Sequence, residues 1–318
     1  MPSEFALIDR YFRRGSRHTV LGIGDDGAIV RPSAGCELVI STDMLVAGTH
    51  FLAATEPTDL GWKTLAVNVS DLAAMGAQPR WALLAAALPE ANEAWIEKFA
   101  DGFFACADAF DIDVIGGDTT KGPRNFCVTI FGEVPAGQAL LRSGAQAGDE
   151  IWVSGMPGRA ALALAHLQGR TALSEPALTD CLAALQRPQP RVALGLALRG
   201  LATAAIDVSD GLLADLGHIL TASGKTAVLQ TAVPHSGHFI LPTPTFEREC
   251  YLAGGDDYEL VFTAPPALRA QVEALGASLV LPLHCLGNIA AGIPGQLTVL
   301  DPTGQPIDIA RRGYDHFS

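Results

Sequence analysis

Six short stretches set acidic side chains among glycines and hydroxyls: Gly24-Asp25-Asp26-Gly27, Ser41-Thr42-Asp43, Asn68-Val69-Ser70-Asp71, Gly116-Gly117-Asp118-Thr119-Thr120, Asp207-Val208-Ser209-Asp210-Gly211 and Gly254-Gly255-Asp256-Asp257. Flanking glycines and helix ends predict that these carboxylates are exposed. Carboxylates gathered in one fold repel one another and shift or neutralise unless a cation sits among them. An oxygen-only donor set suits a hard ion such as magnesium, and magnesium points to phosphate chemistry.

Other phosphate motifs are excluded one by one. Gly22-Ile23-Gly24-Asp25-Asp26-Gly27 matches G-x-G-x-x-G, but its two carboxylates would face a pyrophosphate. Ser223-Gly224-Lys225-Thr226 resembles the end of a Walker A loop, yet Ile219 stands where the first glycine is required. No G-x-S-x-G elbow, H-E-x-x-H pair or protein-kinase signature occurs. Each acidic stretch also has a plain reading: Gly116 to Thr120 as a tight turn, and Ser209 or Asp210 as a helix N-cap. Capping accounts for one of the aspartates around Ser209 and leaves the other unexplained. His50 reads as a surface or core histidine or as a catalyst, and Arg142 as a solvated charge or a phosphate ligand.

The elements that must carry these residues follow from periodicity. Leu38 to Ile40 reads as a strand delivering Ser41, Thr42 and Asp43 at its end. From Pro57 the apolar residues Trp62, Leu65, Ala66, Val69, Leu72 and Ala73 mark one helix face, with Gly76 and Pro79 as the stop. Asp71 then falls in the last turn, where the helix dipole disfavours a carboxylate. Trp81 to Leu88 reads as a strand, Pro89 to Phe110 as a helix, Val114-Ile115 as a strand entering a Gly-Gly-Asp-Thr-Thr loop, and Phe126 to Val134 as a further strand. In the second half, strands are expected at Glu150 to Ser154, Ala204 to Val208 and Tyr258 to Thr263. Helices are expected at roughly 158 to 167, at roughly 190 to 203 and from about Ser209. The mixed order indicates an α+β protein, and the glycine-rich polar stretch after Gly137 is the candidate boundary between domains 1–137 and 138–318.

The 318 residues suffice for two domains with real cores. A net charge of -13 argues against nucleic acid or anionic membrane as partner. With 49% hydrophobic residues and a mean hydropathy of +0.27 there is still no uninterrupted apolar run of membrane-spanning length. The N-terminus lacks a secretory pattern, so the cytoplasm is the expected compartment. Six scattered cysteines without a C-x-x-C pair read mostly as small buried residues.

Taken together, Gly-Ile-Gly-Asp-Asp-Gly-Ala, Ser-Thr-Asp-Met-Leu-Val, Asn-Val-Ser-Asp-Leu-Ala-Ala-Met-Gly-Ala, Gly-Gly-Asp-Thr-Thr, Asp-Val-Ser-Asp-Gly-Leu and the closing Gly-Tyr-Asp-His-Phe resemble the thiamine-monophosphate kinase family, from about Phe5 to Phe317. That family shares a superfamily with aminoimidazole ribonucleotide synthetase, selenophosphate synthetase and a hydrogenase maturation protein. The resemblance implies the two-domain synthetase-like fold: an N-terminal α/β domain pairing in a homodimer, and a C-terminal domain closing over nucleotide and substrate. It implies direct transfer of the γ-phosphoryl group of ATP to thiamine monophosphate, giving thiamine diphosphate, with several magnesium ions. By motif, Asp26, Ser41, Thr42, Asp43, Asp71, Asp118, Asp207 and Asp210 would hold magnesium. Gly117, Asp118, Arg142 and Ser209 would contact ATP, and His50, Asp256 and Tyr314 would face thiamine monophosphate. Asp71, Asp118, Arg142 and Asp210 would carry the catalytic charge stabilisation. The family usually shows Gly-Gly-Glu-Asp where this chain has Gly254-Gly255-Asp256-Asp257. A cyclo-ligase of the same superfamily and a catalytically silent ATP- or metal-binding regulator are the competing readings.

Overall fold

The computed structural model describes residues 4–230, 244–301, 303–309 and 313–314. Two compact units result: Met1–Leu72 with Ala77–Gly137, and Ala73–Gly76 with Gln138–Ser318.

The first unit opens with α1 (Glu4–Leu7), which runs into a π-helical turn, Ile8–Phe12, and the short antiparallel pair β1 (Thr19–Leu21) and β2 (Ile29–Val30). Then follow β3 (Cys36–Val46), α2 (Pro57–Ala74), β4 (Gln78–Leu88), α3 (Glu93–Ala109), β5 (Asp113–Lys121) and β6 (Asn125–Pro135). The four long strands form an open sheet in the order β3-β6-β4-β5, antiparallel except for the parallel pair β4 and β5. One face is dry. Phe126, Val128 and Ile130 of β6 are buried with Val39, Leu45 and Leu84, and Phe126 stacks on Phe99 of α3 with ring centroids 4.5 Å apart. The opposite face leaves Leu38, Ile40 and Met44 of β3 exposed.

Two glycines let the helices touch. A side-chain carbon on Gly61 would stand 2.0 Å from the Phe99 carbonyl oxygen, and one on Gly102 would stand 1.8 Å from that of Thr58. Backbones at that separation exclude any larger residue.

The second unit comprises β7 (Glu150–Ser154), α4 (Arg159–Leu167), α5 (Ala177–Gln186), α6 (Val192–Leu198), β8 (Ala204–Asp207), α7 (Leu212–Ser223), β9 (Thr226–Gln230), α8 (Pro244–Ala253), β10 (Leu260–Ala264), α9 (Arg269–Ser278), β11 (Leu283–Ala290), β12 (Leu297–Leu300) and β13 (Pro306–Ile307). Its seven strands order as β13-β12-β9-β11-β7-β10-β8, mixed in direction, with β12 and β9 the parallel pair. β7 and β10 are buried along their whole length, as interior strands covered on both faces must be, and the edge strand β8 is buried too. Mixed α and β structure is therefore what the described residues form, in two large open sheets and the small β1-β2 pair.

Several boundaries differ from expectation. β3 continues to Val46, so Ser41, Thr42 and Asp43 lie within the strand instead of at its end, because β6 offers ladder partners along the full length. Gly116 to Thr120 is likewise strand and not a turn: β4 pairs with β5 through Lys121. Gly117 takes φ +150° there because an added carbon would meet the Leu84 carbonyl oxygen at 1.8 Å. Pro79 is inside β4, α6 is shorter than the expected helix, and α5 was not anticipated. Of the cysteines, 106, 181 and 250 are buried, 36 and 127 half-buried and 285 exposed.

Gly102→Ala is expected to lower unfolding free energy by about 3 kcal/mol, the upper end of ordinary overpacking costs. Gly15→Ala, with nothing within 4 Å of the added carbon, should change little. Urea titration of both variants checks this.

Candidate active site

In the first unit a cavity of about 910 Å³ opens against the β4–β5 half of the sheet. The Gly24 to Gly27 turn brings Asp25 and Asp26 to its wall, and β5 brings Gly117 and Asp118. Two acidic stretches some ninety positions apart thus converge, and Arg13 lines the same space. Ile8, Phe12, Leu83, Leu84, Val114, Ile115 and Phe131 supply its apolar wall.

A second group lies at the other edge of that sheet. The hydroxyl of Ser41 donates to Oδ2 of Asp71, in the last turn of α2. The N–H of Asp43 donates to Oδ1 of Asn68 at 3.0 Å, and Asn68 donates to the Thr64 carbonyl one turn earlier at 3.1 Å. Thr42 is not part of this group. Consecutive strand residues point to opposite faces, and the Thr42 hydroxyl is bonded to the Val128 carbonyl and the Thr129 hydroxyl, at 2.9 and 3.1 Å. β3 and β5 are the two edges of a four-stranded sheet, which sets the backbones of Asp43 and Gly117 about 14 Å apart at normal strand spacing. The Asp71 group and the Asp118 group of one chain are thus set at opposite edges of the sheet.

His50 is half-buried after β3. Its Nδ1 accepts the Val46 N–H at 3.0 Å, which leaves the ring hydrogen on Nε2 as a donor.

In the second unit, Asp207 ends β8 and is buried, against the expectation of exposure, because β8 pairs with β10 up to Leu260. Ser209 and Asp210 follow, half-buried. Neither caps α7. The residue before the helix is Gly211, with no side-chain cap, and Asp215 from the first helical turn reaches back instead to the loop before it, accepting the N–H groups of Ser209, Asp210 and Gly211 at 3.0, 3.1 and 3.1 Å. The Ser209 carbonyl receives the Asp256 N–H at 2.8 Å, and the Asp210 carbonyl receives the Tyr314 N–H at 2.9 Å. Ser209, Asp210, Asp256 and Tyr314 are thereby brought together. Asp315 to Phe317 of the closing motif lie outside the described residues.

Arg142 is held elsewhere. Its carbonyl accepts from Ser223, the last residue of α7, whereas Ser209 and Asp210 precede the first, and twelve helical residues span roughly 18 Å.

The two aspartates of Gly254 to Asp257 divide their work. Asp256, at φ +69°, accepts the Tyr258 hydroxyl at 3.1 Å. Asp257 is buried and accepts the N–H groups of Gly158 and Ala160 at the start of α4, at 2.6 and 3.3 Å. Burial pushes Asp257 up to about 8. Burial, then the charge of Asp210, pushes Asp215 up to about 7 against the pull of its three N–H donors. Arg191 donates two hydrogen bonds, both 2.6 Å, to the buried carboxylate of Glu259.

The fold matches proteins of known kind. Residues 24–134 match the family described as AIR synthase related protein, N-terminal domain. Across 99% of this chain and 98% of its relative, the sequence is 47% identical to the thiamine-monophosphate kinase of Salmonella typhimurium. The chain belongs to the thiamine-monophosphate kinase family. The crystal structure of the thiamine-monophosphate kinase from Stenotrophomonas maltophilia K279a is 49% identical with a TM-score of 0.85, covering 96% of this chain and 98% of that one. AaThiL complexed with AMPPCP and TMP is 29% identical with a TM-score of 0.74, covering 99% and 97%.

Sequence motifs of a thiamine-monophosphate kinase did not reveal the acids that hold its loops. Asp113 accepts the N–H groups of Arg17 and His18 and the Thr19 hydroxyl, at 2.8, 2.6 and 2.6 Å. Glu133 accepts the N–H and hydroxyl of Ser33, at 2.6 and 3.0 Å, and Arg80. These two carboxylates pin both ends of the segment that carries Asp25 and Asp26. Their partners are about a hundred positions away, so no local signal marks them. Asp215, four residues after Gly211 in a first helical turn, did carry a signal.

Burial works to raise both Asp113 and Glu133, but the N–H, hydroxyl and Arg80 partners win and hold them below their ordinary 3.8 and 4.5. Depressed carboxylates contribute stability that is present above the unfolded-state values and lost as pH falls through the folded ones. Asp215 and Asp257, whose folded values are raised, oppose this slope while they are ionised in the unfolded state, and that opposition fades about one unit below 3.8. Unfolding free energy is therefore expected to fall with pH below about pH 3, and Asp113→Asn to flatten the fall; urea titrations from about pH 2 to 3 test the sign.

Proposed function

We propose that the chain phosphorylates thiamine monophosphate at the expense of ATP, giving thiamine diphosphate by direct transfer. The observation carrying this reading is the set of motif carboxylates gathered at three places, within a chain 47% identical over its length to a thiamine-monophosphate kinase. The likeness to AaThiL complexed with AMPPCP and TMP supports the choice of both substrates.

Magnesium fits the donor set. Every candidate ligand is an oxygen, which suits a hard ion held by one or two carboxylates and completed by phosphate and water. Asp26 and Asp118 at the cavity, Asp43 and Asp71 with Ser41 at the other edge, and Asp207 and Asp210 in the second unit are the residues that would hold it. Bound there, magnesium supplies charge neutralisation between two anionic substrates.

The protein's own groups position and recognise. Gly117, at the cavity wall beside Asp118, offers its backbone to a nucleotide, and Ser209 offers a hydroxyl just before α7. His50, with Nε2–H as donor, suits the acceptor's phosphate, and Asp256 suits the cationic ring system. Tyr314, 42% exposed, offers a face for that cation. The acceptor oxygen is already anionic, so no general base is required and positioning carries most of the catalysis. Arg142 enters only if its side chain meets nucleotide away from Ser209.

A homodimer agrees with the first unit's geometry. Leu38, Ile40 and Met44 form an exposed apolar face on the edge strand β3, the kind of surface a second copy covers. Pairing also offers a route by which the separated Asp71 and Asp118 groups of different copies meet. Among the described residues no helix is long and apolar enough to cross a membrane, and a cytoplasmic location is part of the proposal.

The decisive experiment follows ATP consumption with and without thiamine monophosphate and identifies the product by chromatography. Thiamine diphosphate formed one for one with ADP is expected; ATP loss independent of acceptor, or none, overturns the reading. Asp71→Asn should lower kcat by roughly 10²–10³-fold, as for loss of one group that stabilises transition-state charge. Tyr314→Ala should weaken thiamine monophosphate binding by about 0.5–2 kcal/mol, read by calorimetry, with ATP binding little changed.

A further inference from the structure

Asp215 lies outside every motif that pointed to function, yet the acid loop of the second unit is built on it. The residue is 2% exposed, so no ligand reaches it. One oxygen, Oδ2, accepts all three N–H groups of Ser209, Asp210 and Gly211. Those groups come after β8 has ended and before α7 begins, where neither ladder nor helix provides acceptors. Gly211 makes the turn at φ +130°, with the Ala253 main chain 2.9 Å from where a side-chain carbon would stand.

The other side of the same peptide units is used as well. The Ser209 carbonyl holds Asp256 and the Asp210 carbonyl holds Tyr314, through their N–H groups. A carbon added to Gly255 would stand 2.4 Å from the Ser209 carbonyl oxygen, and one on Gly313 would stand 2.9 Å from that of Asp210, so both segments press directly on this backbone. Two segments that carry candidate site residues are thus mounted on a third, the Ser209 to Gly211 main chain, and that stretch is fastened to Asp215.

We propose that Asp215 is a positioning residue for both ligands at once: by holding the Ser209 to Gly211 main chain it sets where Asp210, Asp256 and Tyr314 stand, without touching metal, nucleotide or acceptor. This rests on the kinase reading above and adds to it a shared support for the metal-binding and acceptor-binding sides of the second unit. Residues that orient ligands from behind typically matter by 10- to 100-fold in affinity.

The test uses Asp215→Ala, Asp215→Asn and Asp210→Asn in the full chain, with folding checked by circular dichroism. Mn2+ binding in the presence of AMPPCP is read by electron paramagnetic resonance, and thiamine monophosphate binding by calorimetry. Asp215→Ala should weaken both roughly 10- to 100-fold. Asp215→Asn keeps an oxygen for the three N–H groups and should stay close to wild type in both, while Asp210→Asn should lose Mn2+ with the acceptor largely retained. A folded Asp215→Ala that binds both ligands normally, or loses only Mn2+, overturns the proposal. If the alanine variant does not fold, Asp215→Asn decides: a loss of Mn2+ as large as that of Asp210→Asn overturns it, and near wild-type binding supports it. Wild-type protein that binds Mn2+ with AMPPCP but never makes thiamine diphosphate would defeat the kinase reading, and the Mn2+ comparison would still judge Asp215.

Discussion

Buried carboxylates accepting backbone N–H groups are the constraint on which the rest of this structure depends. Asp113, Glu133, Asp215 and Asp257 are each at most 7% exposed, and each accepts one or more backbone N–H groups from a loop or a helix start. An isolated buried charge is costly, and so is an unpaired buried N–H; joining the two relieves both. The segments so held carry Asp25 and Asp26, or Ser209 and Asp210, or abut Asp256. The acids of this chain therefore fall into two groups with different tasks, an inner one that fixes loops and an outer one left to face ligand.

The division accounts for how an acidic protein can concentrate further negative charge. Loops held by a handful of carboxyl-to-backbone hydrogen bonds, charge-assisted at the depressed Asp113 and Glu133, do not spring apart when the outer carboxylates repel, so the repulsion is retained until a cation relieves it. Preorganised charge of this sort is what phosphoryl transfer draws on, since little covalent chemistry falls to the side chains. Glycine serves the same end from the other direction. At Gly117 and Gly255 the chain approaches backbone too closely for a side chain, which keeps the outer acids at fixed places.

Much of this was legible in the sequence. The helix face from Trp62 to Ala73 and its stop at Gly76 follow from periodicity, and Asp71 falls in the last turn as the pattern requires. Motif order was enough to name the family. What could not be read was face and distance. Nothing in Ser41-Thr42-Asp43 shows that the middle side chain turns away, because that needs the strand to run through all three residues, and strand length was set by β6, more than eighty positions later. Nor does the sequence show that the Arg142 backbone, bonded to a serine at the end of α7, lies far from Ser209. The inner acids were hidden for the same reason: Asp113 and Glu133 find their partners across the fold, not along the chain.

The most direct test of that division is a crystal grown with AMPPCP, thiamine monophosphate and Mn2+, with the metal located by its anomalous scattering. Every Mn2+ peak is predicted to touch outer carboxylates, Asp26, Asp43, Asp71, Asp118, Asp207 or Asp210, and none to touch Asp113, Glu133, Asp215 or Asp257. A metal coordinated by any of those four buried acids would contradict the account.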